Sequence, residues 1–267
     1  MNEAIKGLLV LGSLGLVFSG ILAFLGRKLQ VEDDPMVQKI LELLPGLNCG
    51  ACGFSGCKVF AEALVAGNTS GVCKPAGEAV NKKIVALLNL EPKELKALRV
   101  VCRCGADQDQ KKSSHQYLGP QTCAFAHIVG AALDCKYGCM GLGDCAKVCP
   151  TKAISIQRKK VYVDIKKCIG CGNCVKACPR KLFEFIPLGK TLGIYYVACN
   201  NKEKAGYVRA VCTRGCISCT LCAKVENSPF YIKDNLSYID YDKVKEEKPL
   251  AEAKGKCPTH CIDMIDV

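Results

Sequence analysis

The chain has 267 residues, a formal charge of +12 and twenty-two cysteines, with no tryptophan and only 6% aromatic residues. That length accommodates a short anchor and two or more small modules, too small to rest on apolar cores alone. The positive charge comes with no nucleic-acid-binding motif and no aromatic platform for stacking bases, which argues against DNA or RNA as partner.

Gly7 to Gly26 is an uncharged apolar run of twenty residues, enough to span a bilayer as one helix. Arg27 and Lys28 outnumber the single Lys6 before it, so the positive-inside bias places the rest of the chain in the cytoplasm, behind a single pass of the cell (inner) membrane. A cleaved secretory signal is the other reading. Against it, Lys6 is offset by Glu3 and no A-x-A site precedes Arg27. Gly12, Gly15, Ser19, Ala23 and Gly26 share one side, which would let another membrane helix approach. Asp34-Pro35 predicts an N-cap and first helical residue, followed by the apolar face of Ile40, Leu41, Leu43 and Leu44. Cys49, Cys52, Cys57 and Cys73 then stand at C-x2-C-x4-C-x15-C, a spacing that suits zinc or an iron–sulfur cluster. Helices are expected over Lys58–Ala66, over Ala76–Leu88, and again from Glu94. Cys102, Cys104 and Cys123 have no recognisable ligand spacing: buried thiols, substitute ligands and part of an extra cluster all remain open.

Cys168-x2-Cys171-x2-Cys174-x3-Cys178-Pro179 is the bacterial ferredoxin run, whose first three thiolates hold one [4Fe–4S] cube and whose fourth reaches a neighbouring one. Cys135-x3-Cys139-x5-Cys145-x3-Cys149-Pro150 is a stretched copy. Crossed ligation predicts one cube on Cys135, Cys139, Cys145 and Cys178, and another on Cys168, Cys171, Cys174 and Cys149. Between the motifs, Ala153–Ile156 and Val161–Asp164 alternate as a β-hairpin. The basic pairs Lys166-Lys167 and Arg180-Lys181 flank the cluster loops and read either as a solvated face or as a docking surface for an acidic carrier. Leu182–Ile186 and Ile194–Ala198 read as a second hairpin, and Tyr238–Tyr241 as a further short strand. Cys212, Cys216, Cys219, Cys222, Cys257 and Cys261 form a third group. It reads as a ferredoxin repeat with one cube lost, because Glu226 stands where a fourth cysteine is expected. The remaining cube would use Cys216, Cys219, Cys222 and Cys257. Cys199, Cys212 and Cys261 have no assigned role, and a fifth cube is left open beside the four.

The expected fold is α+β: a single N-terminal transmembrane helix, a small helical Fe–S domain, then two ferredoxin-like modules, the second degenerate. Boundaries are expected at 1–28 for the anchor, 29–100 for the helical domain, 101–134 for a connecting segment, 135–190 for the two-cluster module and 191–267 for the degenerate one. A disulfide framework belongs to small secreted domains, and structural zinc favours paired knuckles over three cysteines at successive x2 spacing. An oxidised cube with four thiolates carries two negative charges, so four cubes bring the formal charge from +12 to about +4.

The membrane helix, the NCGACGFSGC segment and the ferredoxin modules, in that order, resemble the B subunit of the Rnf complex. That complex is a membrane-bound ferredoxin:NAD+ oxidoreductase coupled to ion transport. YGCMGLGDC and YVAC…AVC…GCISC resemble the longer form of this subunit. The resemblance covers nearly the whole chain and implies that Cys49, Cys52, Cys57 and Cys73 bind a [4Fe–4S] cluster. It also implies reduced ferredoxin and other complex subunits, integral membrane and flavin- or NAD-binding, as partners. Gly138, Gly141 and Gly143 lie inside a cluster loop and not between a strand and a helix, so no dinucleotide site is expected here. No triad or P-loop is present, and His115, His127 and His260 are isolated. Two other functions remain in view: a reductive activator of a corrinoid methyltransferase system, and a zinc-rich adaptor.

Overall fold

The computed structural model describes residues 2–28, 34–68, 71–90, 98–130, 133–188 and 193–266. Helix α1 (Asn2–Lys28) contains the apolar stretch Ile5–Gly26, 22 residues long, none of it buried against the rest of the chain. A helix this long and this apolar without a protein partner is what a membrane anchor requires.

Helices α2 (Pro35–Leu43), α3 (Cys57–Val65) and α4 (Gly77–Leu88) form a small domain around Ile40, Phe60, Ala61, Leu64 and Ile84. Asp34 caps α2 as the sequence predicts, its Oδ1 accepting the Met36 N–H at 2.7 Å. The helix expected from Glu94 falls on residues 91–97, outside those described.

Two modules of the same plan follow. In the first, β1 (Leu98–Cys102) pairs antiparallel with β4 (Phe183–Pro187) as an outer sheet. The inner hairpin is β2 (Ile154–Gln157) with β3 (Lys160–Val163), as expected. Helix α5 (Cys123–Val129) lies in the long loop after β1, and the turns α6 (Asp144–Lys147) and α7 (Asn173–Ala177) carry motif cysteines. In the second, β5 (Gly193–Val197) pairs with β8 (Ile262–Asp266) outside, and β6 (Phe230–Lys233) with β7 (Leu236–Ile239) inside. Helix α8 (Ala205–Val211) precedes the cysteine motif and α9 (Lys248–Lys256) leads into Cys257-Pro258.

The second hairpin expected from the sequence does not form. Its two strands, β4 and β5, take distant partners on either side of them in the sequence, β1 and β8. Both are apolar enough to be buried between modules, and Val101, Ile186, Ile194, Tyr196 and Ala198 pack together along that seam. Pairing each with a strand of its own module closes the outer sheets and puts this apolar set in one interior. Consequently β1, which straddles the boundary expected at residue 100, pairs with a strand of the first ferredoxin-like module.

Candidate iron–sulfur sites

The run Cys168–Cys178 folds as a wrapped loop followed by α7. Cys168, Cys171 and Cys174 line one cavity, and the fourth wall is Cys149, delivered by the other motif. Cys178 crosses in the opposite direction, into a cavity with Cys139 and Cys145. The exchange expected from the ferredoxin pattern is therefore present in the backbone path. The fourth cysteine of that second cavity is Cys123, not Cys135. Cys123 begins α5, which Thr122 caps, and the Asp144 carboxylate accepts the Ala124 N–H at 3.2 Å, tying this turn to the motif loop. No spacing rule reaches back from Cys139 to Cys123. The irregular x3 and x5 intervals of the first motif were the one signal that its register was not simple.

Cys135 stands instead with Cys104, Cys199 and Cys212 around a separate cavity between the modules. Cys216, Cys219, Cys222 and Cys257 share a fourth cavity, which Cys261 also lines. In the N-terminal domain Cys73 is held by Asn81, which accepts the Cys73 N–H at 3.2 Å and donates to its carbonyl at 2.7 Å. Burial pushes the Cys73 thiol up to about 11, and Cys52, Cys49 and Cys57 are near enough to add to the rise. Asn48 accepts the Cys57 N–H at 2.8 Å across the loop.

All twenty-two cysteines are free thiols, which removes the disulfide framework. Among the described residues no three His, Cys, Asp or Glu side chains converge closely enough for one metal ion. The three cavities with the expected motif cysteines enclose about 320–330 Å³ of atom-free space each, mouth included. A zinc ion draws sulfur to about 2.3 Å around one point, closer than these cysteines stand, whereas a cube of iron and sulfide holds its four thiolates further apart. Burial pushes Cys145 and Cys174 up to about 12, so neither ionises without a cation. Coordinated iron supplies that cation and holds sulfur as thiolate. Arg180 lines the Cys123–Cys139–Cys145–Cys178 cavity, and its buried Nε has no partner in the protein, a donor that suits an anionic cluster.

Arg180 also corrects one reading. Far from a docking face, its guanidinium is buried and donates to the carbonyls of Cys135 at 2.9 Å and Gly138 at 2.6 Å. Cys102 sits against the cavity cysteine Cys139, and Cys261 lines the C-terminal cavity against Cys257 at a sulfur–sulfur distance of 3.6 Å. The neighbouring thiol lowers Cys139, and Cys261 lowers Cys257 to about 5.

Cysteine tetrads on ferredoxin-like modules, behind an apolar anchor-length helix, define an iron–sulfur electron-transfer protein of the membrane-associated kind. Family models agree in outline: an Fe-S cluster segment matches residues 44–75, a 4Fe-4S dicluster domain 134–182, and a 4Fe-4S single cluster domain of ferredoxin I 213–264. The B subunit of the proton-translocating ferredoxin:NAD(+) oxidoreductase complex of Clostridium ljungdahlii is 34% identical over 99% of this chain and 94% of its own length. The B subunit of the Na(+)-translocating complex of Acetobacterium woodii is 32% identical over 98% of this chain and 78% of its own. The B subunit of the ion-translocating oxidoreductase complex of Methanosarcina acetivorans is 32% identical over 96% and 95%. The chain belongs to the B-subunit family of the Rnf ion-translocating ferredoxin:NAD+ oxidoreductase complexes, as their iron–sulfur electron-transfer subunit.

Proposed function

We propose that this protein takes electrons singly from reduced ferredoxin on the cytoplasmic side of the cell membrane and passes them toward membrane-embedded and flavin- or NAD-binding partners. On this reading cubes occupy Cys49, Cys52, Cys57 and Cys73; Cys123, Cys139, Cys145 and Cys178; Cys149, Cys168, Cys171 and Cys174; and Cys216, Cys219, Cys222 and Cys257. A bound cube supplies one-electron redox chemistry. The chain holds the sulfurs, keeps water out and sets the surrounding charge.

The order of sites along the fold carries the proposal. Cys219 is the one exposed cysteine of the twenty-two and marks where electrons arrive. The two crossed cavities lie side by side, with Cys174 close enough to Cys145 to raise its thiol, although burial is the larger cause. On the far side burial raises Cys171, and Cys49 of the N-terminal domain adds to that rise. The last site thus belongs to the domain that directly follows α1. Hydride transfer and ion movement fall to other subunits, since this chain offers no dinucleotide motif.

Stopped-flow mixing of reduced ferredoxin with the detergent-solubilised full chain tests the reading. Rapid bleaching of the sulfur-to-iron charge-transfer band is expected, slowed in Cys219→Ser. Bleaching by dithionite but not by ferredoxin would sink it. Trypsin digestion of inverted membrane vesicles, with protection in right-side-out ones, tests sidedness, and the reverse pattern overturns it.

A further inference from the structure

The relay just proposed has a gap between the Cys219 site and the Cys123–Cys178 site, and a cavity of about 360 Å³ of atom-free space lies there, mouth included. We propose that Cys104, Cys135, Cys199 and Cys212, which line it, hold a fifth [4Fe–4S] cube at the junction of the two modules. That it serves as a link rests on the electron-transfer reading above. That it binds a cube does not.

The four cysteines arrive on four separate arms, and three of them lie outside every segment matched by a family model. Backbone pairing between distant segments sets each arm. The Gly105 N–H donates to the Ala198 carbonyl at 2.9 Å, which joins the ends of β1 and β5 and brings Cys104 to Cys199. Lys111 bridges to Cys212, flanked by Lys112 N–H to Val211 O and Thr213 N–H to Gln110 O, both 3.0 Å. The Asp134 N–H donates to Lys112 O at 3.2 Å and anchors Cys135.

The surroundings suit an anionic cluster. Arg103, Lys111 and Arg214 line the cavity and no carboxylate does. Lys111 is buried with its Nζ on two carbonyls, Cys139 O and Lys159 O, both at 2.9 Å. The Nε of Arg103, also buried, has no partner in the protein. Amide N–H groups already converge on the sulfurs: Cys139 N–H on Cys104 at 3.2 Å, Asn201 N–H on Cys199 at 3.5 Å, and Asn201 Nδ2 on Cys135 at 3.5 Å. Such N–H···S bonds are how proteins stabilise and tune clusters.

One such bond also defines a neighbour. Cys104 accepts from the backbone of Cys139, a cysteine of the next cavity toward the membrane domain. On the other side Cys199 packs in one buried cluster with Cys216, a cysteine of the C-terminal cavity. Five tetrads then account for all the cysteines except Cys102 and Cys261.

Iron and acid-labile sulfide per chain decide the matter, measured by chemical assay and Mössbauer area on anaerobically purified full-length protein. About twenty of each are expected, and about sixteen would overturn the proposal. Cys199→Ser and Cys212→Ser should each remove about four irons, while the Cys102→Ser/Cys261→Ser double variant should keep about twenty. Twenty irons in the wild type with no loss in either single variant, or with loss in the double variant, places the extra cube elsewhere and overturns the assignment. If the single variants fail to fold, the wild-type count and the double variant still decide. Zinc in place of the last four irons counts against it too. Full iron without bleaching by ferredoxin would fail the electron-transfer reading alone; sixteen irons with normal bleaching would fail this inference alone.

Discussion

A thiol need not ligate iron to act on it. Cys102 stands against Cys139, and Cys261 against Cys257 and Cys216; a hydrogen bond from such a thiol to a ligand sulfur would favour the more negative, reduced cluster. One bond of about 1 kcal/mol corresponds to about 40 mV for one electron. Cys102→Ala should therefore keep its cubes but lower one potential by about 40 mV in an EPR-monitored redox titration. An unchanged potential would mean that the thiol plays no such part. Arg180 acts differently, through the carbonyls of Cys135 and Gly138. Arg180→Met strands the buried Gly138 carbonyl, while the Cys135 carbonyl keeps the Gly138 N–H at 3.0 Å, and should cost about 1–3 kcal/mol, read as an earlier loss of cluster absorbance in guanidinium chloride. Arg180→Lys, with a single ammonium in place of a fork, should recover only part of it.

The elements hold these residues through close backbone approaches. Gly170, in the Cys168–Cys171 loop, has φ +66, and a Cβ there would meet the Leu98 carbonyl oxygen at 2.5 Å, where β1 begins. Gly130 has a similar φ of +71 at the end of α5 but open space around it. Gly130→Ala should cost only the left-handed penalty of about 1–2 kcal/mol. Gly170→Ala adds a collision with backbone and should lose the adjoining cube on purification, seen as a deficit of about four irons. A second link joins β5 to α9: the Tyr195 hydroxyl donates to Glu247 at 2.9 Å, just ahead of the helix that leads into Cys257. Burial and then this bond push Tyr195 up to about 12 from its ordinary 10.0. A raised phenol contributes stability that is complete below its unfolded pKa and is lost as pH rises through its folded one. Stability should fall from about pH 10 to about 12, less steeply in Tyr195→Phe, as followed by denaturant midpoints across that range.

At the scale of the whole molecule, charge and anchorage answer to the cofactors and the membrane. Five oxidised cubes at two negative charges each would bring the formal +12 to about +2, so most of the apparent basicity offsets buried clusters. Helix α1 contributes nothing to the cluster-bearing core, since none of Ile5–Gly26 is buried. Removing residues 1–28 should release the protein into the soluble fraction with its visible spectrum and iron content intact. The full chain should resist alkaline carbonate extraction. Loss of iron on truncation would show that the helix does more than anchor.

Much of this protein is local in sequence, and that part was legible. The anchor follows from twenty uncharged residues, the α2 cap from Asp34-Pro35, the inner hairpin from alternation around Arg158-Lys159, and the class of cofactor from cysteines two residues apart before a C-P. These patterns are short because one helix turn, one hairpin or one loop around a cube satisfies them without help from the rest of the chain. What only the tertiary structure decided is non-local. Strands β4 and β5 read alike, and their partners, β1 and β8, were set by which apolar faces could be buried together. Cys123 lines the cavity where the spacing put Cys135 for the same reason: which sulfurs surround one point in space depends on the fold, and no spacing rule records that Gly105 meets Ala198 or that Lys111 meets Cys212.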